Sequence, residues 1–160
     1  MMIEEQINRK YLNLFLRKLK KEDFEEVKIF NKKDLIDEIL NVSKNPSNKT
    51  YFLTNLKKEP LAVGGACMVE NSEYKVAKVW LLTTNYIGSN KKSLMKYVLN
   101  KISFLKKEYD VLFNFIYKCN FPSLKWIKKA GFNVLDFSDD YKLFYFTKGD
   151  ISFDLRYFTS

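Results

Sequence analysis

The stretch from Val111 to Phe132, VLFNFIYKCNFPSLKWIKKAGF, constrains the fold of this chain more than any other. From Val111 to Tyr117 every residue is apolar or aromatic except Asn114. That pattern belongs to a strand buried on both faces, in the middle of a mixed or parallel sheet. Asn120 then stops the strand and offers a side-chain oxygen to the free N–H groups of a helix start. Pro122 suits the first turn of that helix, where its missing N–H is not needed. Leu124, Ile127 and Ala130 recur at helical spacing, and Gly131 is placed to end the helix in the left-handed conformation. The segment predicts a strand, a polar hinge, a short helix and a glycine stop.

A chain of 160 residues has room for one domain with a buried core around this segment. The expected domain spans residues 1–160, with 1–10 as an N-terminal extension and 148–160 as a C-terminal strand or arm. Apolar residues make up 46% of the chain and aromatic ones 16%, which argues against disorder. No apolar run approaches the roughly 18 residues of a membrane helix, and the opening MMIEEQINRK lacks the apolar core of a signal peptide. Cys67 and Cys119 are too few for a disulfide framework, so a reducing compartment, the cytoplasm, is expected. The histidine count is 0, which removes the Ser-His and Cys-His nucleophile pairs and most zinc constellations. No metal site is expected.

The net charge of +9 raises the question of a polyanionic partner. Arginine stands only at Arg9, Arg17 and Arg156, whereas a nucleic-acid reader spends arginine on phosphates and base edges. The lysines lie in scattered pairs (Lys20-Lys21, Lys57-Lys58, Lys91-Lys92, Lys128-Lys129) interleaved with acids. With Lys, Asn, Phe, Tyr and Ile all abundant, the charge reads as codon bias, and nucleic acid is not an expected partner.

Along the chain, Tyr11 to Leu19 reads as a strand, with Leu12, Leu14 and Leu16 alternating. Lys21-Glu22-Asp23 opens a helix with acids in its first turn and Phe24, Val27 and Phe30 as its buried stripe. A second helix covers Lys33 to Val42, and Ser43 to Asn48 is a loop. Thr50 to Leu56 and Leu61 to Glu70 form a hairpin, in which Gly64-Gly65 mark a bulge or a close backbone approach. Val76 to Thr84 is the next strand. A long helix follows, with Leu94, Met95, Val98, Leu99, Ile102 and Leu105 on one face. After the Val111–Phe132 unit come strands at Asn133 to Phe137 and Tyr141 to Phe146. Ile151, Phe153, Leu155 and Tyr157 alternate as a further strand or extended arm. The fold class is α+β, a mixed sheet. Its Val76–Tyr117 unit forms a parallel strand–helix–strand crossover. The two strands of that unit splay beside a helix start and leave a crevice at their carboxyl ends.

This layout, with Asn120-Phe121-Pro122-Ser123 leading through the Trp126-Ile127 helix to Gly131-Phe132, resembles the GNAT N-acyltransferase superfamily. Arg17 followed by Lys21-Glu22-Asp23-Phe24 is similar to that family's opening strand and first helix. Lys78 to Thr84 and Asn114 to Asn120 resemble a branch of GNAT-like proteins encoded by tailed phages, some of them virion or internal-core components. The resemblance covers most of the chain from Leu14 to Phe146. It implies a GNAT-like, mostly antiparallel sheet with splayed parallel strands and flanking helices.

The resemblance implies acetyl-CoA in the crevice. The loop Ile87, Gly88, Ser89, Asn90, Lys91 and Lys92 would hold its pyrophosphate, where a helix start offers free donors. Of the family's spaced loop glycines only Gly88 remains. Backbone N–H groups near Thr83 and Thr84 would face the developing oxyanion. Asn120, with Ser123, would hold the cofactor arm, tie the splayed strand or simply cap the helix. The family's Tyr general acid falls at Ile127, preceded by Trp126, which cannot release a proton. Glu70, Glu73 and Tyr74, on the turn before the Val76 strand, are the nearest bases. Cys119 reads as a buried small residue. Two functions follow from the resemblance: a phage-encoded, acetyl-CoA-dependent N-acetyltransferase acting on an amine, or a catalytically degenerate GNAT-fold protein whose partners are other virion proteins. The expected places are the host cytoplasm and the virion.

Overall fold

The computed structural model describes residues 2–27, 32–70, 72–149 and 151. The elements run β1 (Met2–Glu5), α1 (Arg9–Arg17), α2 (Lys21–Val27), α3 (Lys32–Lys44), β2 (Lys49–Asn55), β3 (Pro60–Val69) and β4 (Val76–Thr83). A 3-10 turn (Asn85–Asn90) leads into α4 (Lys91–Glu108), then β5 (Val111–Tyr117), α5 (Phe121–Lys129), β6 (Asn133–Asp136) and β7 (Tyr141–Thr147). The strands form one 7-stranded sheet in the order β1-β2-β3-β4-β5-β7-β6. Every neighbouring pair is antiparallel except β4 with β5. This is the mixed α/β sheet with flanking helices expected from the sequence.

Helices cover both faces. Successive strand residues point to opposite sides, so Val79 and Leu82 of β4 serve different layers. Leu82, Val63 and Phe52 pack under α1 and α3 with Leu12, Phe15, Leu35, Ile36 and Ile39. Val79, Leu112, Ile116 and Phe144 pack under α4 and α5 with Ile102, Leu105, Trp126 and Ile127. Among the described residues no helix is long and apolar enough to cross a membrane.

The Val111–Phe132 unit folds as its residues dictate. Val111, Leu112 and Phe113 are 3% exposed or less, between β4 and β7. The Asn120 side chain accepts from Ser123 N at 3.3 Å and caps α5. Gly131 ends that helix at φ 84°, and Lys106 Nζ donates to the Ala130 carbonyl at 2.6 Å. Gly64 and Gly65 mark a close approach. A Cβ would stand 2.6 Å from the Trp80 carbonyl oxygen at Gly64 and 1.9 Å from that of Lys49 at Gly65. The register shift of this hairpin lies instead in β2, between Leu53 and Thr54.

Three expectations are corrected. Tyr11 to Leu19 is not a strand, because its residues through Arg17 belong to α1. The Asn8 side chain accepts from Tyr11 N at 3.0 Å, and Leu12 and Phe15, both 0% exposed, lie three apart on one helical face. Residues 1–10 are more than an extension, since Met2–Glu5 pair with β2 as the sheet edge. In α2 the expected stripe is turned: Phe24 is 53% exposed and Asp23 only 4%. Phe30, and the alternating Phe153, Leu155 and Tyr157, lie outside the described residues. Ile151 packs on the cluster of Val76, Val111, Phe113 and Leu143.

Candidate active site

The site begins where two parallel strands part. β4 and β5 pair only over Val76–Lys78 against Val111–Phe113. At the next step Asn114 Nδ2 donates to the Val79 carbonyl at 2.9 Å, while its Oδ1 accepts from Phe115 N at 2.7 Å. A side-chain amide thus replaces the next rung of the ladder and closes the branch point. The one polar residue in an apolar strand is there for that reason, which its sequence position alone did not reveal.

At the open end the strands are joined again through a helix. Asp23 Oδ2 accepts from Thr83 N at 2.8 Å and Thr83 Oγ1 at 2.9 Å, and its Oδ1 accepts from Asn120 Nδ2 at 3.2 Å. One buried carboxylate from α2 therefore links the end of β4 to the start of α5. Burial raises the Asp23 carboxyl above its ordinary range, against the opposing pull of its bonds to Thr83 and Asn120 and of the Lys20 charge. The Lys20 ammonium is lowered, first by burial and then by repulsion from Lys91. Lys20 is thus a third positive charge near the start of α4.

Between the two ties lies a cleft of about 590 Å³, whose lining includes Glu38, Cys67, Lys78, Asn114, Trp126 and Tyr141. Glu38 reaches it from α3 with no hydrogen bond or ion pair to another described residue, and its charge bears on Cys67. The Cys67 thiol is pushed up mainly by burial, although the Trp80 N–H and the Lys78 charge act against this. A thiol so raised is a poor nucleophile at neutral pH.

The entry to α4 combines a buried anchor with open backbone. Ile87 is 5% exposed and packs with Leu53, Leu61, Ala62 and Leu94. Gly88 takes φ 35° and ψ −115° to turn the chain. Asn90 makes no side-chain capping bond, and the first turn of α4 carries no acid. Ser89, Lys91 and Lys92 are exposed and Asn90 is half-buried. The free donors and positive dipole of a helix start are left open beside three lysines.

Other expected residues fall elsewhere. Thr84 is 0% exposed; its hydroxyl donates to the Pro60 carbonyl at 2.6 Å and accepts from Tyr86 N at 3.2 Å. The Thr84 N–H donates to the Leu61 carbonyl at 3.0 Å, and that of Thr83 is taken by Asp23. Both backbone donors expected to face an oxyanion are therefore engaged, and Thr84 serves as a cap. Glu70, Glu73 and Tyr74 sit on the turn between β3 and β4. Val76–Thr83 of β4 spans about 23 Å at about 3.3 Å per residue, so they stand at the opposite end of the strand from Thr84. Ser123 is buried and lines the cleft. Ile127 is 0% exposed in the core. Cys119, expected to be buried, is exposed.

No family model matches the chain, and no curated protein matches its sequence. Solved structures do match over nearly its whole length. An acetyltransferase from Streptococcus agalactiae superposes with a TM-score of 0.67 at 12% identity, covering 92% of this chain and 98% of that one. The PaiA N-acetyltransferase from Thermoplasma acidophilum, in complex with coenzyme A, gives 0.66 at 14% identity, covering 92% and 99%. The Campylobacter jejuni N-acetyltransferase PseH, in complex with acetyl coenzyme A, gives 0.57 at 18% identity, covering 93% and 100%. The chain has the fold of these acetyltransferases.

Proposed function

We propose that the protein is a GNAT-type N-acetyltransferase that moves an acetyl group from acetyl-CoA to an amine. The observation that carries this reading is the parted β4–β5 pair, closed by Asn114 and opening on an uncapped, lysine-flanked helix start. The fold neighbours in complex with acetyl coenzyme A and coenzyme A favour the same ligand. The residues present fit it. Lys20, Lys91 and Lys92 with the free N–H groups at the start of α4 suit a diphosphate, and the cleft of about 590 Å³ suits a narrow arm.

Bound acetyl-CoA would supply the activated acyl thioester. The chain's own contribution is then to hold the arm and to take the amine's proton as its nitrogen attacks. Glu38 suits the role of proton acceptor, being a carboxylate on the cleft, free of an ion pair among the described residues. It replaces Glu70 and Tyr74 as the base. A positioned base contributes roughly a hundredfold or more to such a step.

A second reading has two observations in its favour. The Thr83 and Thr84 N–H groups are already engaged, and the loop keeps a single glycine. A GNAT-fold interaction protein without transfer, in a phage virion, would show this pattern. Thiol release from acetyl-CoA, followed over a panel of primary monoamines and polyamines, separates the two. Amine-dependent release that falls about a hundredfold in Glu38→Gln, with CoA binding retained, supports the enzyme. Absence of release with every amine supports the interaction protein.

A further inference from the structure

Trp126 buries a hydrogen-bond donor that no described residue receives. The residue is 7% exposed, with its ring edge-on to Phe132 at 6.4 Å and to Phe144 at 6.2 Å between centroids. Its Nε1 has no hydrogen-bond partner among the described residues. An indole nitrogen can only donate, and a buried donor left unmade is costly, so it calls for a specific explanation. Packing alone does not supply one, because an apolar aromatic side chain can fill an apolar site without a buried polar atom. Trp80 Nε1, buried as well, also lacks a hydrogen-bond partner among the described residues, but it lies close enough to the Cys67 sulfur to oppose the rise of that thiol's pKa, whereas no such acceptor stands by Trp126.

The position of Trp126 indicates what the donor awaits. The residue lines both the β4–β5 cleft and a smaller cavity of about 50 Å³ beneath α4. The other residues shared by the two cavities are Val79, Trp80 and Leu81, none of them charged. A group reaching the indole there leaves water among apolar walls, which disfavours an anion and suits a neutral carbonyl oxygen. Trp126 lies one turn along α5 from Ser123, on the tied side of the cleft.

We propose that Trp126 Nε1 donates to an amide carbonyl of the pantetheine arm of CoA and so positions the arm between β4 and β5. This rests on the reading of the cleft as a CoA site. The acid–base step does not involve Trp126, and its role is separable from phosphate binding at the start of α4.

The test is Trp126→Phe, which keeps an aromatic ring and removes the donor. Unliganded Trp126→Phe should melt near the wild-type temperature, the relief of an unpaired donor offsetting part of the volume lost. Calorimetric affinity for CoA should fall about fivefold to tenfold, the loss expected of one hydrogen bond. The adenine nucleotide half of CoA, which has no amide carbonyl, should bind both proteins equally. An unchanged CoA affinity, or an equal loss for the nucleotide half, overturns the proposal while leaving the CoA site standing. Failure of the wild type to bind either ligand overturns both. If the Phe variant does not fold, Trp80→Phe leaves Trp126 as the sole reporter. CoA must then red-shift its emission where the nucleotide half does not, and the lack of that shift overturns the proposal.

Discussion

Replacing Asp23 by alanine tests the tie across the mouth of the cleft. The substitution removes the acceptor for Thr83 N at 2.8 Å, Thr83 Oγ1 at 2.9 Å and Asn120 Nδ2 at 3.2 Å. Hydrogen bonds to a charged group contribute about 1.5–3 kcal/mol each, but the sum overstates the loss. The carboxylate is buried at a cost, as its raised pKa records, and water can enter the space it leaves. A net loss of about 3 kcal/mol is expected, roughly 9 °C in Tm for a domain of this size. The pH dependence has a definite sign. A carboxyl raised in the folded state stabilises fully below its unfolded pKa, about 3.9, and that stabilisation is lost as pH rises through the folded value. Measured against Asp23→Asn, the wild type should therefore lose ground as pH rises from about 4. Urea unfolding of the three proteins across that range is the assay. An alanine variant as stable as wild type would refute the tie. A wild-type advantage that grows with pH would refute the burial argument.

Gly65→Ala should cost about 3 kcal/mol or more, because its Cβ would stand 1.9 Å from the Lys49 carbonyl and force β2 from β3. Thermal unfolding measures it, and a variant within about 0.5 kcal/mol of wild type would contradict the packing. Gly88→Glu should behave differently, since a Cβ there meets nothing within 4 Å. Its folding cost is about 1–3 kcal/mol, from the backbone conformation at φ 35° and ψ −115° alone, whereas CoA binding should be lost by repulsion of phosphate. Equal CoA affinity for the variant and wild type would put the phosphate site elsewhere.

The parts of the fold legible in the sequence were those fixed by neighbours along the chain. Val111–Tyr117, the Asn120 cap, the Pro122 helix and the Gly131 stop each follow from local rules, and each is present. In α1 two periods competed. Leu12, Leu14 and Leu16 alternate like a strand, but Leu12, Phe15 and Leu16 also share a helical face, and the Asn8 cap decides for the helix. The site was less legible because its ties are long-range. Asp23 lies 60 residues from Thr83 and 97 from Asn120. An acid in a helix's first turn ordinarily serves the dipole, and nothing local says that this one turns inward. Asn114 carried a visible signal, a polar side chain inside a doubly buried strand. Glu70 and Tyr74 are close to β4 in sequence, but the length of the strand puts them at its far end.

Calorimetric titration of the wild-type protein with acetyl-CoA at moderate salt tests the central claim most directly. Saturable binding at one site per chain, abolished in Gly88→Glu, is the predicted result. Absence of binding at millimolar ligand would contradict the account and leave the parted strands as the framework of an interaction protein.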